Sequence, residues 1–202
     1  GQTVNHYIRA CKGFSRWLYR RKRAAEDHLR DLDLVDAMRD RTKFRRALTV
    51  AEFEALCKAA DEQPRLTLAS RTRFVLPGRS LLYRVAVGTG FRAKEIRSLT
   101  PSSLDLDADP PTVTVQAAYS KRKRRDVQPI SKSLADMLRA YVKRRRRDVP
   151  LFDCDWSRLA EVVRADCKLA GVAVKTASGE VDFHALRHTY ATWIASRTDA
   201  KT

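Results

Sequence analysis

The spacing of apolar residues constrains the fold of this chain more than any other feature of its sequence. Over most of the chain these residues recur at steps of three and four, which is the period of an amphipathic helix. Strict alternation, the period of a half-buried strand, occurs over residues 112–116, and a second strand-like run covers 125–130. The pattern therefore predicts a mostly α fold with a small antiparallel β-sheet, in the α+β class.

Helices are predicted over seven segments, each with an apolar face or a recognisable start. They cover residues 3–20, from 49 onward, 81–88, 92–99, 133–142, 157–170, and from 182 to near the end of the chain. Thr49 and Glu52 form a capping box, and Asp182 is a good N-cap. Residues 61–78 contain two prolines and no clear period, and they are predicted to be loop.

Three regions follow from this pattern. The first helix needs apolar partners that residues 1–38 do not supply, so these residues are expected to be the end of a small helical domain that continues upstream. Residues 39–47 (RDRTKFRRA) are polar and basic, which predicts an exposed linker. Residues 48–202 are expected to form the main domain, because 44% of the chain is hydrophobic and can build a core.

The balance of charge indicates a polyanionic partner. Lys and Arg number 41 against 24 Asp and Glu, which gives a net charge of +17 at pH 7. Nucleic acid is the partner that this balance favours, although a soluble basic protein or one that binds a membrane surface would also fit. No run approaches the roughly 18 apolar residues of a membrane helix, and the N-terminus lacks the layout of a secretory signal.

The cysteines favour a reducing compartment. No pair has the close spacing of a zinc site. Cys11, Cys57 and Cys167 fall on apolar helix faces, where a reduced thiol acts as a small hydrophobic group. We therefore expect buried cysteines in a cytoplasmic protein, rather than metal ligands or disulfides.

Four spaced segments carry the clearest signal of function. They are residues 45–52 (RRALTVAE), 88–99 (GTGFRAKEIRSL), 120–130 (SKRKRRDVQPI) and 183–192 (FHALRHTYAT). In this order they resemble the entry to the catalytic domain, the first arginine box, the lysine-bearing strand pair and the second box of the tyrosine recombinases, or phage integrase family. Residues 3–33 resemble the last helix and exit of the helical domain with which that family clamps the other side of the DNA.

The resemblance implies that two arginines, remote in the chain, hold one backbone phosphate. Arg92 of the first box and Arg187 of the second are the matching residues. A forked, permanently charged guanidinium suits this task, because it can bind two phosphate oxygens where negative charge grows in the transition state. Arg92 at a helix start would be disfavoured by the helix dipole unless an anion binds nearby. Glu95, one turn later, is expected to support this geometry.

The strand pair implies a proton donor for the leaving 5′-oxygen of the DNA. Lys121 is the candidate, because the family's lysine stands eight residues before the proline matched by Pro129. Lys123 is its rival, and the run could also be a solvated tip that binds phosphate without specificity. Arg122, Lys123, Arg124 and Arg125 are accordingly predicted to bind DNA.

The second box also implies a base. His184, Arg187 and His188 fall on one helix face by the i, i+3, i+4 rule. His184 is the candidate that accepts the proton of the attacking hydroxyl. His188 is expected to be a buried core histidine with at most a supporting role. No third ligand is offered nearby, so neither a metal nor another cofactor is expected.

The family's tyrosine nucleophile is expected several tens of residues beyond the second box, and no residue before Thr202 matches it. Tyr190 falls on the apolar helix face, where core packing is expected. The chain is therefore expected to bind double-stranded DNA without cleaving it. The complete, nucleoid-associated protein of prokaryotic or phage type would be a site-specific recombinase that forms a 3′-phosphotyrosyl intermediate and self-assembles on DNA. A non-catalytic DNA-binding regulator and a type IB topoisomerase-like relative are the alternatives.

Overall fold

The computed structural model describes residues 1–36, 44–68 and 73–198, and the chain forms two compact units, Gly1–Phe44 and Arg45–Thr202. Most of the predicted linker 39–47 lies outside the described residues. Arg46, a residue of that predicted linker, is buried in the second unit, where its guanidinium contacts Glu52 (2.8 Å) and the backbone oxygen of Ala173 (2.7 Å).

The first unit is built on one long helix, α1 (Gln2–Arg20), as the apolar spacing predicts. The side chain of Asn5 is buried and pairs with both backbone polar groups of Val35, which fastens the following segment along the helix. Phe14 and Trp17 stack on each other and remain largely exposed. Cys11 is exposed as well, so the prediction that it is a buried core residue is wrong.

Within residues 45–68 and 73–198 the second unit has six further α-helices around one apolar core. They are α2 (Val50–Glu62), α3 (Arg79–Thr89), α4 (Ala93–Arg97), α5 (Lys132–Val142), α6 (Leu159–Leu169) and α7 (Phe183–Thr198). Helix α3 lies at the centre and packs against α2, α4, α5 and α7. Cys57 and Cys167 are fully buried in this core, as predicted. None of the described helices is both long and apolar enough to cross a lipid bilayer.

Short antiparallel strands complete the second unit. They are β1 (Arg65–Thr67), β2 (Arg73–Val75), β3 (Leu104–Asp105), β4 (Thr112–Val115), β5 (Asp126–Pro129), β6 (Lys175–Thr176) and β7 (Gly179–Glu180). The predicted pairing of β4 with β5 is confirmed, and β3 extends this sheet on the other side of β4. The prediction of loop throughout 61–78 is wrong, because β1 pairs with β2. Strands of two or three residues are too short to leave a period in the sequence.

Two glycines fix the direction of α5 relative to α3. A Cβ atom on Gly88, near the end of α3, would lie 2.6 Å from the side chain of Leu134, in the first turn of α5. A Cβ on Gly78, which caps the start of α3, would lie 2.8 Å from the ring of Tyr141 near the end of α5. The two helices therefore run antiparallel and in close contact.

A buried ion pair joins α3 to α6. The guanidinium of Arg79 donates to both carboxylate oxygens of Asp166 (2.6 and 2.8 Å), and both side chains are fully buried. The hydroxyl of Tyr83 donates to the same carboxylate (2.5 Å), and Arg79 also reaches the backbone oxygen of Gln63 (2.7 Å). Because each charged group is paired and hydrogen-bonded, the cluster can remain ionised inside the core and fix the orientation of α3.

Candidate phosphate-binding site

A cavity of about 290 Å³ lies where the end of α3, the start of α4, the hairpin of β4 and β5, and α7 meet. Arg92 and Arg187 both line it, although they are 95 positions apart in the sequence. Its other lining residues are Thr89, Gly90, Phe91, Ser120, Arg122, Asp126, Gln128, Tyr190 and Ala191. The structure therefore brings the two arginines of the predicted site to one cavity.

Glu95 holds Arg92 at two points. Its carboxylate accepts the backbone N–H of Arg92 (2.7 Å) and also a guanidinium N–H of the same residue (3.1 Å). Glu95 is buried, whereas the Arg92 side chain is 36% exposed toward the cavity. The carboxylate therefore fixes the guanidinium from behind and leaves its remaining N–H groups available to an anion.

Arg187 is held by the main chain. Its Nη1 donates to the backbone oxygen of Gly90, at the end of α3. Burial lowers the pKa of Arg187, and the positive charge of Arg92 lowers this pKa further. Arg187 still carries its charge at neutral pH, so two cations face one cavity. An anion placed there would relieve their mutual repulsion.

Tyr190 supports the anchor of Arg187. Gly90 has a positive φ of 64°, and a Cβ atom at this position would overlap the ring of Tyr190. The hydroxyl of Tyr190 accepts a hydrogen bond from the side-chain amide of Gln128 (2.7 Å), which lies on β5. Tyr190 is half-buried at the edge of the cavity rather than inside the core, so the expectation of plain core packing is wrong in that respect.

The hairpin connection contributes one cation to the cavity. Arg122 lines it, whereas Lys121, Lys123, Arg124 and Arg125 are exposed and are not among the lining residues. The N–H of Arg122 donates to the hydroxyl of Ser120 (3.3 Å), and Lys123 adopts a positive φ of 53°. The structure therefore does not bring Lys121 to the two arginines, and it points to Arg122 as a cavity residue that the sequence did not distinguish from its neighbours.

The two histidines of α7 are both exposed. The prediction that His188 is buried in the core is wrong, because the buried positions around it are Ala185, Leu186 and Thr189. Partial desolvation of the His184 ring lowers its pKa. The nearby charges of Arg45, Arg187 and Arg92 lower this pKa further, and the charge of Asp182 opposes them. His184 therefore lies within electrostatic reach of both cavity arginines, and its lowered pKa favours the neutral imidazole.

The cavity offers cations and hydrogen-bond donors rather than a set of metal ligands. Among residues 1–36, 44–68 and 73–198, no group of three or more His, Cys, Asp and Glu side chains is placed to hold a metal ion. Asp126 is the acidic residue that lines the cavity, and its charge opposes the lowering of the Arg187 pKa. A mostly α domain that brings three arginines to one cavity is suited to bind an oxyanion such as a phosphodiester.

The sequence model of the Phage integrase family matches residues 46–201, so the chain belongs to this family, the tyrosine recombinases. This match spans the second unit almost completely. A comparison with curated protein sequences found no match.

Solved structures of tyrosine recombinases share the fold. The Tn1549 transposon integrase in complex with transposon right end DNA matches with a TM-score of 0.69 and 16% identity, over 97% of this chain and 67% of that one. A lambda integrase dimer bound to a COC′ core site matches with a TM-score of 0.65 and 17% identity, over 96% and 52%. XerA recombinase matches with a TM-score of 0.57 and 19% identity, over 95% and 69%. The chain thus spans between about half and 69% of these proteins.

Proposed function

We propose that this chain binds duplex DNA and holds one backbone phosphate between Arg92 and Arg187, as part of a site-specific recombinase or integrase. The observation that carries the proposal is that both guanidinium groups line one cavity while each is held by a hydrogen bond, to Glu95 and to the backbone oxygen of Gly90. Pre-positioned donors of this kind stabilise charge that develops on a phosphoryl group without reorganising during the reaction.

In the complete recombinase, a tyrosine hydroxyl would attack the phosphorus and form a 3′-phosphotyrosyl bond while the bond to the 5′-oxygen breaks. His184 would accept the proton of the attacking hydroxyl, for which a neutral imidazole is required, and its lowered pKa supports that state. Lys121 would protonate the leaving 5′-oxygen. Because Lys121 is exposed outside the cavity lining, this role requires the hairpin connection to move toward bound DNA.

None of the four tyrosines of the second unit is placed as the attacking group. Tyr119 is exposed in the hairpin connection and does not line the cavity. Tyr83 is fully buried and donates to Asp166, and Tyr141 is engaged by backbone oxygens far from the cavity. Tyr190 lies at the cavity, but its ring is packed on Gly90 and its hydroxyl is engaged by Gln128. We therefore infer that the 202-residue chain binds DNA and does not cleave it.

The first experiment measures DNA binding by fluorescence anisotropy, using a labelled duplex and the 202-residue chain. Arg187→Ala and Arg92→Ala should each weaken binding roughly 10- to 150-fold, because a hydrogen bond to a charged group contributes about 1.5–3 kcal/mol. Arg164→Ala removes the same charge from an exposed position on α6 and serves as the control. Equal losses in all three variants, or none, would contradict a specific phosphate site.

The second experiment separates binding from chemistry. In the complete recombinase, Arg187→Ala should abolish cleavage of a suicide DNA substrate, which traps the covalent intermediate. Arg164→Ala should leave cleavage unchanged. Undiminished cleavage by the Arg187→Ala enzyme would refute the role assigned to this residue. Detectable cleavage by the 202-residue chain would refute the inference that it lacks the attacking tyrosine.

A further inference from the structure

A second cationic surface lies at the end of α5 and takes no part in the cavity. It consists of the segment Lys143–Arg147, five consecutive basic residues that we call the basic turn. None of the five lines the cavity that contains Arg92 and Arg187. The proposed phosphate site therefore does not account for it.

The position of the basic turn follows from the antiparallel packing of α3 and α5. Helix α5 begins against Gly88, beside the cavity, and it ends with Tyr141 against Gly78, at the opposite end of α3. Helix α3 has 11 residues, which corresponds to a length of about 16 Å. The basic turn and the cavity are thus at opposite ends of the central helix.

The backbone of the basic turn is held in place. The guanidinium of Arg145 stacks on the ring of Tyr141 at 4.2 Å and donates to the backbone oxygen of Leu151 (3.1 Å). The hydroxyl of Ser102 donates to the backbone oxygen of Arg147 (3.1 Å). Arg145 therefore acts as an internal support, and the turn is ordered before any partner binds, which reduces the entropy lost on binding.

The other side chains of the basic turn face solvent, and few of their charges are paired with an acidic group. Arg146 is paired with Asp148 (2.9 Å). Lys143, Arg144 and Arg147 are exposed and have no ion-pair partner within the part of the chain that the structure describes. A surface that served solubility alone would interleave charges of both signs, because adjacent like charges repel. The unpaired charges of this cluster instead create a positive potential that can attract an external anion.

The chemistry of the turn favours a phosphodiester backbone as that anion. Arginine forks bind phosphate oxygens in a bidentate manner. The turn carries no exposed aromatic or aliphatic side chain of the kind that inserts into a lipid surface. We propose that the basic turn is a second DNA-binding surface, which holds a separate duplex segment while the cavity holds the first. This proposal rests on the proposed function for the identity of the partner as DNA, but not for the existence of the surface.

The test counts duplexes bound per chain. The 202-residue chain is titrated with a 12-base-pair duplex at about 0.1 M salt, and the mass of the complex is measured by sedimentation. Three proteins are compared with the wild type: a turn variant (Lys143→Gln, Arg144→Gln, Arg147→Gln), a cavity variant (Arg92→Ala, Arg187→Ala), and a control of equal charge loss. The control carries Lys58→Gln, Arg164→Gln and Lys168→Gln on α2 and α6, all at exposed positions.

The wild type and the control should bind two duplexes per chain, and the turn variant should bind one. The slope of log affinity against log salt should fall by about 2 to 3 in the turn variant relative to the control, because each lost phosphate contact contributes about 0.9. The cavity variant should also bind one duplex. If the cavity variant still binds two while the turn variant binds one, the function proposed for the cavity fails and the basic turn stands.

Three results would overturn the inference. One is a single duplex per wild-type chain, which would mean that one duplex covers both surfaces or that the turn binds none. Another is an equal loss in the turn variant and the control, which would assign the effect to net charge alone. In the third, the turn variant still binds both duplexes but no longer binds anionic lipid vesicles, which would make the partner of the basic turn a membrane.

Discussion

Replacement of Gly90 by alanine should test whether the anchor of Arg187 depends on a close contact. Gly90 has a φ of 64°, and an alanine in this left-handed region costs about 1–2 kcal/mol. The added methyl group would also overlap the ring of Tyr190. The ring can move away only by breaking the hydrogen bond from Gln128, which contributes about 0.5–1.5 kcal/mol. We therefore expect Gly90→Ala to lower the free energy of unfolding by about 1.5–3.5 kcal/mol.

Gly171 provides a matched control. It has a φ of 67°, and a Cβ atom there would meet no heavy atom within 4 Å. Gly171→Ala should therefore cost only the backbone part, about 1–2 kcal/mol. Urea denaturation measures both values by linear extrapolation, and the difference between the two variants isolates the steric part at Gly90.

DNA binding gives the second readout of the same pair. Displacement of the Gly90 carbonyl should release Arg187, so Gly90→Ala should weaken binding, whereas Gly171→Ala should leave it unchanged. In a Tyr190→Ala background the steric part should vanish, and Gly90→Ala should then cost no more than Gly171→Ala. Equal costs for the two glycine variants in the wild-type background would refute the close contact as the cause.

Three further outcomes follow from contacts described above. Asp166→Asn should lower the free energy of unfolding by about 3–5 kcal/mol, because it leaves Arg79 charged and unpaired in the core, and a loss below about 1 kcal/mol would contradict this. The pKa of His184 is lowered by desolvation, so its contribution to the free energy of unfolding should be fully present above its ordinary pKa of 6.5 and be lost as pH falls through the lowered folded pKa. The unfolding midpoint should therefore depend less steeply on pH in His184→Gln. An unchanged pH dependence would contradict this. Glutamine at residues 122–125 should weaken DNA binding about evenly across sequences and reduce its salt dependence, whereas a sequence-selective loss in competition assays would mean that the hairpin reads bases.

The periodic elements of the fold could be predicted from the sequence, and the short ones could not. Helix α1 and the pair of β4 and β5 each extend over several residues, so the spacing of apolar residues marks them. Strands β6 and β7 have two residues each, and tertiary contacts rather than a local pattern place them. The exposure of His188 could have been predicted from the sequence. A helix places residues 184 and 188 on one face, and residue 184 was already expected to face the site rather than the core.

The candidate site also has features that could be predicted from the sequence and features that could not. Arg92 and Arg187 could be named from their motifs, since a phosphate site requires such residues at such positions. The support from Gln128 and Tyr190 could not, because these residues are 62 positions apart and meet only when β5 packs beside α7. The chemistry of a pocket can thus be predicted from the types of residue in its motifs. The residues that hold those side chains in place depend on the packing of elements distant in the sequence.

The anchor of Arg187 has a consequence for how this chain tolerates genetic change. Its acceptor is a carbonyl of the main chain, which every amino acid carries, so no single codon change can delete that oxygen. Inactivating changes should therefore accumulate at positions that steer the path of the peptide, above all at residue 90 and at the aromatic ring that presses on it.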